Sequence, residues 1–348
     1  MIKGAILNLL KASGTFNLVR FAHHRQTLIL TYHRFSEGDE EDRTSASAFA
    51  EQLEYLTSHY SVVPLGRLVE SLSCPDPPSH NGKGLAAITI DDGYHDSFEI
   101  AYPLLRRYNI PATVFVVTEF ADRDSWIWTD KARYLCMQTN CQSLTTKIDD
   151  RETRLELGDE GSRCRTALHL NNLLKKLTNE AKDETLEQLA ETLGVFVPKT
   201  PPDELGSITW EQAKEMDSNG IEIGSHTMTH PVLTNISSEQ LRWEVHESRL
   251  RLEAVLGRQV EQFCYPNGDN DERVQSEVAR AGYRVAVTTV SGLNKRGDDP
   301  LTLRRIHTER DLAHFIQSTS GFEQLKNKAR NFSIRSALSR PVSFSAQH

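Results

Sequence analysis

The chain has 348 residues, 38% of them hydrophobic, and a formal net charge of −8. That is apolar material for one sizeable core, and β/α barrels of this length occur as single domains. The negative balance gives no general attraction for nucleic acid, and no run of about 18 apolar residues offers a transmembrane span.

Residues 1–26 form a separate N-terminal segment. Its apolar stretch Ala5–Leu10 is interrupted by Asn8 and followed by Lys11, with no small-residue cleavage site after a full apolar region. It does not read as a signal peptide, so a cytoplasmic protein is expected, at most at the inner membrane face. Ile2, Ile6, Leu9 and Leu10 share one helical face. That face either packs on the barrel or makes a weak peripheral membrane contact.

Thr27–Tyr32 is a short β-rich run. A helix follows, with Ser47 as the expected N-cap and Phe49, Leu53 and Leu56 on one face. Ser61–Leu65 suggests another short strand, and the Pro, Gly and Ser of residues 73–84 a loop. Leu85–Ile90 reads as a buried strand ending in Asp91-Asp92-Gly93, then a helix through Leu104 and Leu105, then a strand at Ala112–Val117.

Residues 121–206 break this rhythm. They are polar, charged and helical in pattern, with Leu168, Leu173, Leu174 and Leu177 as a face, and are expected as a helical insertion. The Glu/Lys-rich stretch 175–192 reads as a solvated helix face. Trp126 and Trp128 open the insertion; they either line a sugar groove or pack its helices.

The rhythm resumes with Thr209 and Gln212 as a capping box and Gly220 as a helix end. Ile221–Gly224 is a strand, followed by His226-Thr-Met-Thr-His230. A second box, Ser237 with Gln240, starts a long helix that Gly257 closes. Strands are expected at Val260–Tyr265, Tyr283–Thr288 and Leu301–Ile306, with a helix over 271–281 between the first two. The main domain runs over 27–327, and the Ser/Arg-rich residues 328–348 are expected to fray. The five cysteines are odd in number and lack a CxxC, so neither a disulfide framework nor a cysteine metal site is expected.

Strands alternating with helices imply an α/β fold, a distorted (β/α)7-type barrel with a helical insertion. In such barrels chemistry sits at the C-terminal strand ends. Asp91 and Asp92 fall at one such end. Adjacent carboxylates can divide labour, one binding a metal and one taking a proton from water, or simply cap a helix. His226 and His230 follow another strand, and Pro231 stops any helix there. Two imidazoles and one carboxylate make an open divalent-metal site.

Ile88-Thr-Ile-Asp-Asp-Gly93 resembles the first motif of the polysaccharide deacetylase family, the NodB-homology carbohydrate esterases. Ser225-His-Thr-Met-Thr-His230 resembles the second, and Phe263-Cys-Tyr-Pro-Asn-Gly268 the third. The Tyr32-His33-Arg34 segment before Asp91 resembles the permuted branch of poly-N-acetylglucosamine deacetylases. The resemblance implies Asp91 as general base and Asp92, His226 and His230 as ligands of a divalent metal, zinc first, with cobalt or nickel as alternatives. It implies an oxyanion donor within Tyr265, Pro266 and Asn267. His33 is the implied acid, with His307 of Leu303-Arg-Arg-Ile-His307 as the alternative.

Two positions depart from the family pattern. Cys264 stands where the third motif usually has the arginine that holds the base, and Asn267 replaces its tyrosine. Arg305 on the last strand is the candidate to orient Asp91 instead. The implied function is removal of N-acetyl groups from a polysaccharide or glycan precursor. Alternatives are an O-acetyl esterase or small-amide hydrolase, an inactive glycan-binding protein, and a scaffold that would hold no metal.

Overall fold

The apolar runs pair side by side, all in one direction. The computed structural model describes residues 13–23, 26–40, 42–74, 83–123 and 125–325. The face of Ile2, Ile6, Leu9 and Leu10 and the tail 328–348 lie outside them, as does most of the expected loop 73–84. In chain order the strands are β1 (Leu28–Tyr32), β2 (Phe35–Ser36), β3 (Thr44–Ser45), β4 (Tyr60–Val62), β5 (Gly84–Ile90), β6 (Ala112–Val116), β7 (Ser143–Ile148), β8 (Arg151–Glu156), β9 (Ile221–Ser225), β10 (Gln262–Cys264), β11 (Val285–Ser291) and β12 (Leu303–His307).

The main sheet runs β1-β12-β11-β10-β9-β6-β5, and β5 pairs back onto β1, so seven parallel strands close a ring. Closure removes the open edges that an unpaired strand would present. The expected seven-stranded barrel is met. β4 is an eighth strand that pairs only with the start of β5, from Tyr60 opposite Gly84 to Val62 opposite Ala86.

Alternation along each strand sorts the side chains. Leu28, Leu30 and Tyr32 pack with Ile88 and Ile90 in the core under the helices. Ile29, Ala87, Phe115, Cys264, Val287 and Leu303 come from six ring strands and share one cluster, so they meet inside the ring. Gly224 makes room there, because a Cβ on it would lie 2.8 Å from the Phe115 ring. The helix Leu65–Ser73 adds Leu65, Leu68, Val69 and Leu72 to the same cluster, and its first N–H donates to Glu222 Oε2 at 3.2 Å. It closes the end of the barrel at which the strands begin.

Several local expectations need correction. Ser45, not Ser47, caps the helix Ala46–His59, because its hydroxyl accepts from the Ala48 N–H. The insertion is not wholly helical. Its helices Trp128–Gln138, Glu160–Leu174 and Asn179–Leu193 are joined by the antiparallel hairpin β7–β8. These elements bury a core of their own, with Ala167, Leu170 and Leu174 inward, whereas Leu168 is 64% exposed. Lys182 is buried over the Trp128 ring rather than solvated. Both capping boxes form as read.

Candidate active site

Strand ends gather the motif residues at one mouth of the ring. Asp91 and Asp92 leave β5, His226 leaves β9, Cys264 ends β10, Arg305 lies on β12 and His33 follows β1. Inside a parallel barrel these ends converge, so residues more than 200 positions apart become neighbours.

The two carboxylates have different partners. Asp91 is buried and held by Arg305 in a two-pronged pair, Nη1 to Oδ1 and Nη2 to Oδ2, each 2.7 Å. Arg305 is itself buried and also donates to the Thr288 carbonyl, the Thr89 hydroxyl and the Cys264 sulfur, at 2.8, 3.0 and 3.3 Å. Burial alone would raise the Asp91 pKa, but the Arg305 charge reverses this and holds the carboxyl well below the usual carboxylate range. A base in that state is ionised at every ordinary pH.

Asp92 faces the two histidines. Its Oδ1 lies 3.4 Å from His226 Nε2 and 3.5 Å from His230 Nε2. Burial pushes its pKa up, yet the hydrogen bond with His226 leads the influences that bring it below the usual value. His230 is pushed down to about 3, first by burial and then by His226, so its ring is neutral and free to donate a lone pair.

One oxygen and two nitrogens within 4.8 Å of one another, all buried, form a set that fits a divalent cation. His226 Nδ1 meets the Cys264 carbonyl at 2.8 Å, which fixes the ring with Nε2 toward the site. A second triple, Asp91, His226 and Cys264, is as close. There the Arg305 guanidinium already stands on both the carboxylate and the sulfur, so a cation is in place and a metal does not fit.

The loop carrying the histidines is bent into a conformation that β-carbons disfavour: Thr227 has φ 71° and His230 φ 61°. Five hydrogen bonds hold it. The His230 N–H donates to Thr227 Oγ1 at 3.0 Å, and Trp128 Nε1 donates to the His230 carbonyl at 3.1 Å. Glu244, buried on the helix Ser238–Leu256, accepts the N–H groups of Met228 and Thr229 at 2.8 and 3.0 Å, and the Thr229 hydroxyl as well. Glu244 is a functional residue that the sequence does not mark. One acidic side chain in a capped helix carries no sign of lying under a loop.

His33 stands beside the pair, its Nε2 3.7 Å from Asp91 Oδ2 and its side chain 40% exposed. The His307 ring centre is 6.0 Å from that of His33. Both line an open groove of roughly 570 Å³ together with Arg34, Arg43, Thr44 and Arg310. Neither tryptophan lines this groove, so of their two readings the packing of the insertion is the one met. Trp128 is buried in the insertion core, and Trp126 packs on Tyr134 with its N–H on the Pro198 carbonyl.

The third-motif segment is narrowed by its own bonding. The Tyr265 N–H donates to the Val287 carbonyl at 3.2 Å and its hydroxyl to the Leu301 carbonyl at 2.9 Å, so Tyr265 belongs to the barrel wall. Pro266 has no N–H. Asn267 remains, left-handed at φ 57°, with a buried side-chain Nδ2 that has no hydrogen-bond partner among the described residues.

A family model described as polysaccharide deacetylase matches residues 79–286. Among curated proteins, "Putative polysaccharide deacetylase YxkH" of Bacillus subtilis (strain 168) is 22% identical over 279 residues, covering 80% of this chain and 70% of that one. Two solved structures share the fold. The Streptococcus pyogenes deacetylase PplD in complex with acetate has a TM-score of 0.58 at 19% identity, covering 85% of this chain and 98% of its own. IcaB from Ammonifex degensii has a TM-score of 0.54 at 17% identity, covering 85% and 97%.

Proposed function

The chain belongs to the polysaccharide deacetylase family, and from that premise we propose that it hydrolyses N-acetyl groups of a polysaccharide or glycan precursor, releasing acetate. The observation that carries this reading is the division between adjacent carboxylates. Asp91 is tied to an arginine and Asp92 to two imidazoles.

Asp92, His226 and His230 would hold a divalent ion, zinc first. When bound, such an ion polarises the acetyl carbonyl and lowers the pKa of water. Asp91 takes the proton of the attacking water. Its low pKa keeps it ionised but makes it a weak base, so it depends on that acidified water. The Asn267 N–H would donate to the oxygen that gains charge as the carbonyl carbon becomes tetrahedral. His33, whose Nε2 lies 3.7 Å from Asp91 Oδ2, protonates the leaving nitrogen as the carbon–nitrogen bond breaks. The products are acetate and a free amine. The same residues would serve an acetyl ester, so the substrate decides between amidase and esterase.

The test pairs metal content with acetate release, on N-acetylglucosamine oligomers and on a simple acetyl ester. Wild type should hold about one metal per chain and release acetate. Asp91→Asn should keep the metal and lose roughly 10²–10⁴-fold in rate. Asp92→Ala should lose the metal. A wild type with neither metal nor acetate release from either compound would sink the proposal.

A further inference from the structure

Each loop that carries a motif holds a residue in the left-handed region that side chains rarely adopt. Asp92 has φ 73° after β5, Thr227 φ 71° and His230 φ 61° after β9, and Asn267 φ 57° after β10. Such conformations persist only where the surroundings over-determine them. Glu244 supplies part of that constraint from the barrel side. The insertion adds to it, and it reaches all three loops. Toward β5, Asp130 accepts the hydroxyl of Tyr94 at 2.6 Å, two residues after Asp92. Toward β9, Trp128 Nε1 donates to the His230 carbonyl at 3.1 Å, and Asn235 Nδ2 donates to the carbonyls of Lys175 and Leu177 at 3.0 and 3.1 Å. Toward β10, Lys175 Nζ lies 2.8 Å from Asp269 Oδ2, two residues past Asn267. Arg133, on the same helix as Trp128 and Asp130, pairs with Asp42 at 3.1 Å and so meets the segment that lines the groove beside His33.

Trp128 connects the two parts. It is buried in the insertion's own core, in one cluster with Leu135, Leu170 and Leu186. The Nζ of buried Lys182 lies over its ring at 5.3 Å and is itself fixed by Asn179 Oδ1 at 2.6 Å. One side chain thus belongs both to that core and to the backbone of a metal-ligand candidate. Because the core of the insertion is distinct from the core of the barrel, it forms a body against which the loops can be set.

We propose that the insertion is a template for the metal site, with Trp128 as its main positioning residue. It holds the motif loops in their ligand-binding shape, so its own order and metal binding are coupled. The inference rests on the reading of Asp92, His226 and His230 as the ligand set. Coupling of this kind is reciprocal. Binding at Asp92 and His230 favours the insertion docked on their loops, and an insertion that has lost its contact with the His230 backbone leaves a weaker site.

The test uses the full chain. Zinc affinity is read by chelator competition, and amide exchange of the helices Trp128–Gln138 and Asn179–Leu193 is followed with and without zinc. In wild type, zinc should slow exchange in both helices about tenfold or more. Trp128→Phe keeps an aromatic ring in the core but loses the N–H, and its zinc affinity should fall about 10–100-fold. Trp126→Phe removes an N–H that stays within the insertion, on the Pro198 carbonyl, and should leave the affinity within about twofold. A wild type that binds no zinc removes the ligand set and this proposal with it. Bound zinc with unchanged exchange in both helices overturns the coupling alone and leaves the site standing. Full affinity in Trp128→Phe, or an equal loss in Trp126→Phe, overturns the role given to Trp128.

Discussion

Replacing Arg305 with methionine removes a cation that five acceptors share. Both partners of the Asp91 pair are buried, so the change leaves a carboxylate in the barrel interior with no counter-charge. Breaking such a pair by removing one side costs about 3–5 kcal/mol, more than the pair itself contributes, because the remaining charge is uncompensated. For a domain of this size that corresponds to a fall in Tm of roughly 6–20 °C. Asp91 in the wild type has a depressed pKa, so the pair's contribution is fully present above the unfolded value near 4 and is lost only as the pH falls through the folded value. In Arg305→Met burial dominates instead, the carboxyl pKa rises, and the acid limb of kcat/KM should move toward neutrality. The assay is thermal melting together with a pH–rate profile. Asp91→Asn/Arg305→Met completes a cycle and should be less destabilised than the sum of the single variants by about 2–3 kcal/mol. A single variant with wild-type Tm and an unmoved acid limb would refute the reasoning.

Other perturbations separate the remaining roles. Glu244→Gln keeps the shape of the side chain but sets an amide among three donors, so zinc affinity, read by chelator competition, should fall about 10–100-fold while the protein stays folded. Unaltered affinity would show that the loop holds itself. His33→Ala should lower kcat by roughly 10²-fold or more with little change in Tm, whereas His307→Ala should have a much smaller effect; the reverse order in steady-state kinetics would exchange the two assignments. Asp130 accepts the Tyr94 hydroxyl at 2.6 Å, and burial pushes its carboxyl up to about 6. Its ionisation therefore opposes folding, at a cost that grows from about pH 4 to 6 and reaches on the order of 2–3 kcal/mol above that. Asp130→Asn should gain melting temperature at pH 8 and none at pH 4; equal shifts at both would remove the titration from the account.

The ring strands were legible because both their faces are buried, which writes continuous apolar runs such as Leu-Ala-Ala-Ile-Thr-Ile into the chain. The hairpin β7–β8 was not, because one side of it faces water and its Thr and Lys residues blur into the polar insertion. A signal was available in Asp149-Asp150, both left-handed at φ 53° and 57°, directly after the β-branched Thr145, Thr146 and Ile148. The helix Leu65–Ser73 was passed over although Leu65, Leu68, Val69 and Leu72 keep helical spacing. Glu244 left no mark of any kind, since burial under a loop is a tertiary fact.

The relation of Cys264 to Arg305 shows why motif order is a weaker guide than position in the ring. The resemblance led one to expect the cation at 264, and the chain has a thiol there. That thiol still reaches the base, with its sulfur 3.5 Å from Asp91 Oδ2. Because Cys264 is short, it leaves space above β5 that a long side chain can enter from another wall. Arg305 enters it from β12, two strands away around the ring, and meets carboxylate and sulfur together. In a closed parallel barrel several strands send side chains into each interior layer, so more than one of them can supply the cation. The constraint lies on the carboxylate, which cannot stay ionised in that interior unless some strand does so.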